Sequence, residues 1–312
     1  MSVLVIGGNG FIGSRLVSAL RSRGDEVVVL DRYPARPDMD WSGVTYHVGN
    51  FHDAPALDQV LSGVDAVYHL ASCTVPSTAD ADPLADIQGN LAGTHHLLAA
   101  MRSRGIRRFC YFSSGGTVYG NPDVVPVPET HPLRPISSYG IVKVAIEHYL
   151  AVFERQGWLD PVVIRPSNPY GPGQATGGIQ GAVAVFLGKA LAGEGVQIWG
   201  GGETIRDYIF IDDLIDLTLR ACDSGRNAVF NAGSGKGISL NELCACIRQV
   251  TGSELPAAYQ DGRAFDVREV VLDVTLACRE LGWTPHTDIH AGIQRTWRAM
   301  KAHEAHQAGM DG

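Results

Sequence analysis

Four consecutive apolar residues, Val3-Leu4-Val5-Ile6, run straight into Gly7-Gly8-Asn9-Gly10-Phe11-Ile12-Gly13 and then into an amphipathic stretch from Arg15 to Arg23 that Gly24 closes. An apolar run without alternation is what a strand buried on both faces requires, and such strands belong to parallel sheets covered by helices. The segment therefore predicts strand, tight glycine turn and helix. Gly7 permits the turn, Gly10 lets backbone N–H groups approach a pyrophosphate, and Gly13 lets helix and strand pack closely while the helix N-terminus faces the anion. A second strand, Glu26-Val27-Val28-Val29-Leu30, ends in Asp31, an acid placed to accept hydrogen bonds from an adenosine ribose. Its carboxylate repels a 2′-phosphate and so favours NAD over NADP, a preference that Arg32 beside it softens.

The alternation continues with Val44-Thr45-Tyr46-His47-Val48, a short helix from about Ala54 to Ser62, and Ala66-Val67-Tyr68-His69-Leu70 entering Ala71-Ser72. A long helix is predicted from Pro83 to about Arg104, then a strand at Phe109-Cys110-Tyr111-Phe112, a helix from Ser137 to about Arg155 and a strand at Val162-Val163-Ile164-Arg165. Strands and helices in this order predict an α/β fold with a doubly wound parallel sheet and right-handed crossovers. Beyond residue 166 the texture changes to Pro and Gly, with Pro166, Pro169, Gly171-Pro172-Gly173, Gly177-Gly178 and Gly200-Gly201-Gly202. We expect a smaller second α/β domain from about 169–209 and 236–312, with 1–168 and about 210–235 forming the nucleotide-binding domain.

Charge narrows the partners. The chain has 25 Lys and Arg against 33 Asp and Glu, a net charge of -8, which argues against a general nucleic-acid or anionic-membrane binder. No window reaches the ~20 apolar residues of a membrane span, and the apolar N-terminus is too short for a signal segment, so the cytoplasm is expected. The six cysteines, at 73, 110, 222, 244, 246 and 278, form no Cys-x-x-Cys pair and read as reduced thiols in apolar stretches. The eleven histidines lack metal-ligand spacing, so no metal site is expected, and the polar tail from Lys301 to Gly312 is expected to fray.

Tyr139 and Lys143 stand four residues apart in Ser137-Ser138-Tyr139-Gly140-Ile141-Val142-Lys143, so helical spacing puts a phenol and an ammonium on one face. A tyrosine ordinarily ionises near pH ~10, and a fixed positive neighbour is the means by which it becomes a base at neutral pH. A surface helix with an incidental Tyr and Lys is the competing reading of the pair alone.

Gly7-x-x-Gly10-x-x-Gly13, Asp31, His69-Leu70-Ala71, Asn90-x-x-Gly93-Thr94, Ser113-Ser114-Gly115-Gly116-Thr117-Val118-Tyr119-Gly120, Tyr139-x-x-x-Lys143 and Arg165-Pro166-Ser167-Asn168-Pro169-Tyr170-Gly171-Pro172 follow one another in order. Together they resemble the extended short-chain dehydrogenases, specifically the NAD-dependent nucleotide-sugar epimerase/dehydratase family, over essentially the whole chain. The resemblance implies a Rossmann fold with NAD bound by Gly7, Gly10, Phe11, Ile12, Gly13, Asp31, Arg32, Asn50, Leu70, Ala71, Asn90, Ser113, Tyr139 and Lys143. It implies Tyr139 as general base and acid, and Lys143 as the residue that lowers its pKa and binds the nicotinamide ribose. Where many epimerases carry a serine for the reacting hydroxyl, this chain has Gly115; Thr117 is the preferred substitute and Ser114 the second.

The same loop bears on the reaction. The family's sugar dehydratases carry an Asp-Glu pair where this chain has Gly116-Thr117, so dehydration lacks its acid and base and 4-epimerisation remains. A 4-ketosugar reductase on the same scaffold, which consumes reduced cofactor, is the alternative enzyme, and a dinucleotide-binding regulator without catalysis is the alternative outside enzymes. The implied substrate is a nucleotide-diphosphate sugar, a UDP- or dTDP-hexose, in a surface-polysaccharide or related pathway. The resemblance assigns its diphosphate to Asn168, Arg206 and Arg263, its ribose to Asp266 and its base pocket to Trp199. Val270 falls where related epimerases gate the C2 substituent, and a valine leaves room for an N-acetyl group. Pairing of two subunits through helices near 84–104 and 138–155 is implied in the same way.

Overall fold

The computed structural model describes residues 1–177, 181–261 and 267–310. Its strands are β1 Ser2–Ile6, β2 Glu26–Asp31, β3 Val44–Val48, β4 Ala66–His69, β5 Arg108–Phe112, β6 Asp160–Pro166, β7 Asn168–Tyr170, β8 Val196–Trp199, β9 Ile205–Phe210, β10 Ala228–Ala232, β11 Gly237–Ser239, β12 Ala257–Gln260 and β13 Glu269–Val270. Seven form one sheet in the order β10-β6-β5-β4-β1-β2-β3, and the pairings from β3 across to β6 are all parallel. This is the doubly wound α/β sheet that the alternation predicts. The chain order reverses between β1 and β4, and a ligand crevice in such a sheet opens beyond the carboxyl ends of the strands at that reversal.

The chain divides into two compact units. The first comprises Met1–Gly120, Pro132–Arg165 and Thr218–Phe230. Its core joins Leu4 and Ile6 of β1 to Leu97 and Met101 of one helix and Ile146 and Leu150 of another, all essentially without solvent contact. The second comprises Asn121–His131, Pro166–Leu217 and Asn231–Gly312. Here β9 is central, parallel to β7 and β13 and antiparallel to β11, while β8 and β12 form a parallel pair. Asp207 of β9 is fully buried, and its carboxylate accepts from Ser234 N–H and Oγ, Gly235 N–H and Leu272 N–H, fixing two segments to one strand.

Two elements differ from expectation. The helix predicted from Pro83 to Arg104 is a helical stretch in three parts, Pro83–Asp86, a π-helical turn Ile87–Ala92, and Gly93–Ser103. A Cβ on Gly93 would lie 2.8 Å from the Phe51 ring and 3.0 Å from His52 Nε2, and one on Gly89 would lie 3.1 Å from Cys73 Cβ. The wider turn thus lies where the helix is pressed against two loops, and π turns are common at functional sites. The first part of the polar tail, from Lys301, belongs to the last helix, Ile289–Met310. No helix among the described residues is long and apolar enough to cross a membrane.

Candidate active site

The glycine turn forms at the end of β1 and its geometry is specific. Gly7 has φ +86°, and a Cβ there would lie 2.7 Å from the Ala71 backbone nitrogen. Leu70 and Ala71 both donate their N–H to Ile6 O, at 2.9 and 3.0 Å, so the loop after β4 lies directly against the turn after β1. A Cβ on Gly13 would strike the Gly7 carbonyl oxygen and lie 2.8 Å from Gly8 Cα, which excludes any side chain there. The Phe11–Ser22 helix begins at exposed Gly10 with no side-chain cap. Its first N–H groups are therefore available to an anion. Asp31 accepts from Asn9 N–H at 3.0 Å and Tyr33 N–H at 3.1 Å, which ties the turn to the end of β2. Phe11 and Ile12 are half-buried, and Arg32 and Asn50 are exposed. An uncapped helix N-terminus, a turn only glycine can make and a carboxylate at the end of β2 fit a dinucleotide.

Tyr139 and Lys143 stand in the first two turns of the Ser138–Arg155 helix, whose N-cap Ser137 accepts from Gly140 N–H. The Lys143 ammonium lies 5.5 Å from the Tyr139 ring centroid and 4.8 Å from that of Tyr111, and it donates to Phe112 O at 2.7 Å. Burial pulls Lys143 down to about 8, against the opposing charges of Glu147 and Asp86. Burial, and then the Asp86 charge, push the Tyr139 phenol up to about 12. Within the chain alone the phenol is thus raised and not lowered, first by its own burial and then by the carboxylate nearby. Thr117 Oγ1 is buried with no hydrogen-bond partner among the described residues, and a Cβ on Gly140 would lie 2.9 Å from Thr117 O. The Ser114 carbonyl accepts from Thr117 N–H at 3.2 Å and Val118 N–H at 3.1 Å.

Two predicted cofactor contacts have their polar groups engaged within the chain. Ser113 donates its hydroxyl to Glu147, and Asn90 donates to Thr74 Oγ1 and Asp86 while accepting from Cys73 N–H. Behind them lies an array that the motifs do not announce. Glu147 and Arg165 form a buried ion pair, and Arg165 also donates to Tyr119 Oη at 2.8 Å. Asp86, wholly buried, accepts from Thr74, Asn90 and Ser138. Among the described residues no cluster of three or more His, Cys, Asp or Glu side chains could hold a metal, and all six cysteines are free.

In the second unit, Asn168 donates to Asp207 O at 2.8 Å, and Arg206, half-buried on β9, donates to Ile205 O. Val270 is buried and pairs in register with Arg206, while Trp199 is exposed at the end of β8 beside Gln260. Arg263 and Asp266 lie outside the described residues.

Comparison with known proteins gives the family. The model of the NAD-dependent epimerase/dehydratase family matches residues 3–233. The UDP-glucose 4-epimerase of Mycolicibacterium smegmatis is 36% identical over 304 residues, covering 95% of this chain and 97% of that protein. Crystal structures of UDP-glucose 4-epimerases superpose along the whole chain. That from Thermotoga maritima, with UDP-glucose, gives a TM-score of 0.94 at 35% identity over 97% of this chain and 100% of that one. That from Thermus thermophilus, in complex with NAD, gives 0.90 at 31% identity over 96% and 99%. With its glycine turn, its Tyr139–Lys143 helix and this match in sequence and fold, the chain belongs to the NAD-dependent epimerase/dehydratase family.

Proposed function

We propose that the chain is a UDP-hexose 4-epimerase that works through a transient 4-keto sugar, with Tyr139 as its acid and base and Thr117 holding the reacting hydroxyl. The observation that carries this reading is the loop after β5. It holds a buried threonine hydroxyl without a partner among the described residues, its backbone at Thr117 abuts Gly140 next to Tyr139, and it has glycine and threonine at positions 116 and 117 where a dehydratase needs carboxylates. Relatives named UDP-glucose 4-epimerase that match along the full chain support UDP as the nucleotide.

Gly7, Gly10 and Gly13 would hold the cofactor's pyrophosphate, Asp31 its adenosine ribose and Lys143 its nicotinamide ribose. Held there, NAD would supply a reversible hydride acceptor that each turnover leaves unchanged. Tyr139 takes the C4 hydroxyl proton as the ketone forms and gives it back as the ketone is reduced from its other face. Asn168, Arg206 and Arg263 would bind the diphosphate, Asp266 the ribose and Trp199 the uracil; Val270 would leave room at C2. Leu84, Ile87, Ile141 and Tyr149 are 62%, 44%, 56% and 46% exposed on the two helical stretches, which supports a second copy of this chain as their cover.

The test is incubation of the protein as purified with UDP-galactose and no added reductant. UDP-glucose should accumulate to equilibrium, and Tyr139→Phe should slow the reaction about 10²–10⁴-fold with its NAD content unchanged. Turnover only with added NADH would replace this reading by a reductase, and full activity in Tyr139→Phe would remove the assigned acid and base.

A further inference from the structure

The helix that carries Tyr139 is fastened at its first residue by two carboxylates from one short segment. Ser138 donates its N–H to Asp80 Oδ1 at 2.7 Å and its hydroxyl to Asp86 Oδ2 at 2.9 Å. Asp80 is exposed, whereas Asp86 has 0% exposure, and its second oxygen accepts from Thr74 Oγ1 and Asn90 Nδ2, both at 2.7 Å. Asn90 also accepts from Cys73 N–H at 2.8 Å. One buried carboxylate thus joins the loop after β4, the π-helical turn and the residue immediately before Tyr139.

All three donors to Asp86 are neutral, two hydroxyls and an amide. A carboxylate buried this deep depends on the partners that hold it. Arg165 is engaged with Glu147, and Lys143, buried one turn beyond Tyr139, turns its ammonium to a neutral carbonyl. Glu147 first and then Asp86 act on buried Lys143 in the same direction, favouring its ammonium.

Building on the function proposed above, we propose that Asp86 is a positioning residue of the reaction: it fixes the start of the Tyr139 helix through Ser138 and places a carboxylate close to the Tyr139–Lys143 pair. The charge acts on both members of the pair in a known direction, favouring the Lys143 ammonium and opposing the Tyr139 phenolate. The other ionisable groups around this core are Tyr111, His69, Cys73, His52, Arg32, Glu147 and Arg165, with Asp80 at the helix start. Neutralising Asp86 leaves all of them in place and lowers the pKa of Tyr139 and of Lys143 together.

Asp86→Asn is nearly isosteric: its amide oxygen can keep Thr74 and Asn90, and its NH2 can donate to Ser138 Oγ. Tyrosinate absorbance is titrated in the wild type against Tyr139→Phe, and in Asp86→Asn against Asp86→Asn/Tyr139→Phe, with no substrate present. The difference titration should move down by about 1 pH unit, and both limbs of the pH profile of UDP-galactose epimerisation should move in the same direction. Ser138→Ala keeps the charge and should lower kcat several-fold at every pH with the limbs in place. An unmoved tyrosine titration in folded Asp86→Asn, or unchanged kcat in Ser138→Ala, overturns the proposal. The second test holds even if Asp86→Asn does not fold. Failure of the wild type to epimerise any UDP-hexose would strike the proposed function, while the titration still reports on Asp86.

Discussion

Removing one member of the Glu147–Arg165 pair should harm the fold far more than removing both. The Arg165 and Glu147 side chains are 5% and 6% exposed. Arg165 Nε lies 3.1 and 3.2 Å from the two carboxylate oxygens, Nη2 adds a further bond to one of them, and Ser113 donates to the other. Arg165→Met leaves that carboxylate in the core with Ser113 as its remaining partner in this network. Summing three charge-assisted bonds at ~1.5–3 kcal/mol each would overstate the loss, because it omits the desolvation that the intact pair already bears. The measured class of event, a buried pair broken on one side, costs about 3–5 kcal/mol. Against a total stability of about 5–15 kcal/mol this is a large fraction. Glu147→Leu should lose a similar amount by stranding the guanidinium, whereas Arg165→Met/Glu147→Leu should return to within about 1–2 kcal/mol of wild type, since apolar replacement of a buried pair is often neutral. Urea unfolding of the four proteins, freed of nucleotide so that retained cofactor adds nothing, measures the cycle. Singles within about 1 kcal/mol of wild type, or a double variant equal to the sum of the singles, would refute the reasoning.

Burial, and then the Lys143 charge, pull the His69 imidazole down to about 3 from the ordinary 6.5, so the folded state keeps it neutral where the unfolded chain takes a proton. Its contribution to stability is complete above pH 6.5 and is lost as pH falls towards 3, by up to about 1.4 kcal/mol per pH unit; the urea midpoint should fall further between pH 7 and pH 5 for wild type than for His69→Asn. Gly13→Ala drives a methyl into the Gly7 carbonyl and should weaken NAD retention about tenfold or more while the protein stays folded, measured by nucleotide released on heating. Ile141→Glu, on the exposed apolar face of the Tyr139 helix, should shift sedimentation from dimer to monomer without altering circular dichroism.

The sheet was legible because its strands are apolar runs punctuated by turn residues, and β1, β2, β4, β5 and β6 all fall on such runs. The glycine turn was legible for a related reason: Gly7 needs a positive φ and Gly13 admits no Cβ, so residue type reports backbone geometry directly. The break in the Pro83–Ser103 helix was not, because a π turn leaves helical periodicity nearly intact and its origin lies in loops near residues 51 and 73. Charge pairing was least legible of all. In the sequence Lys143 pairs with Tyr139 and Glu147 is not singled out, because residue type and spacing do not show which charges are buried. In the structure Lys143 and Glu147 are both buried, and Glu147 pairs with Arg165 from a different element.

That array also decides what Tyr139 can do. A phenol at about 12 stands some 4.5 pH units above pH 7.5, so deprotonating it there takes ~6 kcal/mol. Burial of the phenol itself is the larger cause of this cost and the Asp86 charge the second, while the Lys143 ammonium donates to Phe112 O. A further full positive charge within ~5 Å, at an effective dielectric of ~20, contributes about 3 kcal/mol, roughly two pKa units. Oxidised nicotinamide bound at that distance would supply such a charge, and reduced nicotinamide would not. The phenol should therefore be the stronger acid while the cofactor is oxidised and a proton must be taken up from the sugar, and the weaker acid while it is reduced and the proton must be held. Tyrosinate difference titration against Tyr139→Phe in NAD and in NADH measures this directly. A Tyr139 pKa about two units lower with NAD supports a base switched by cofactor charge, and equal values in the two states would show that the chain alone sets it.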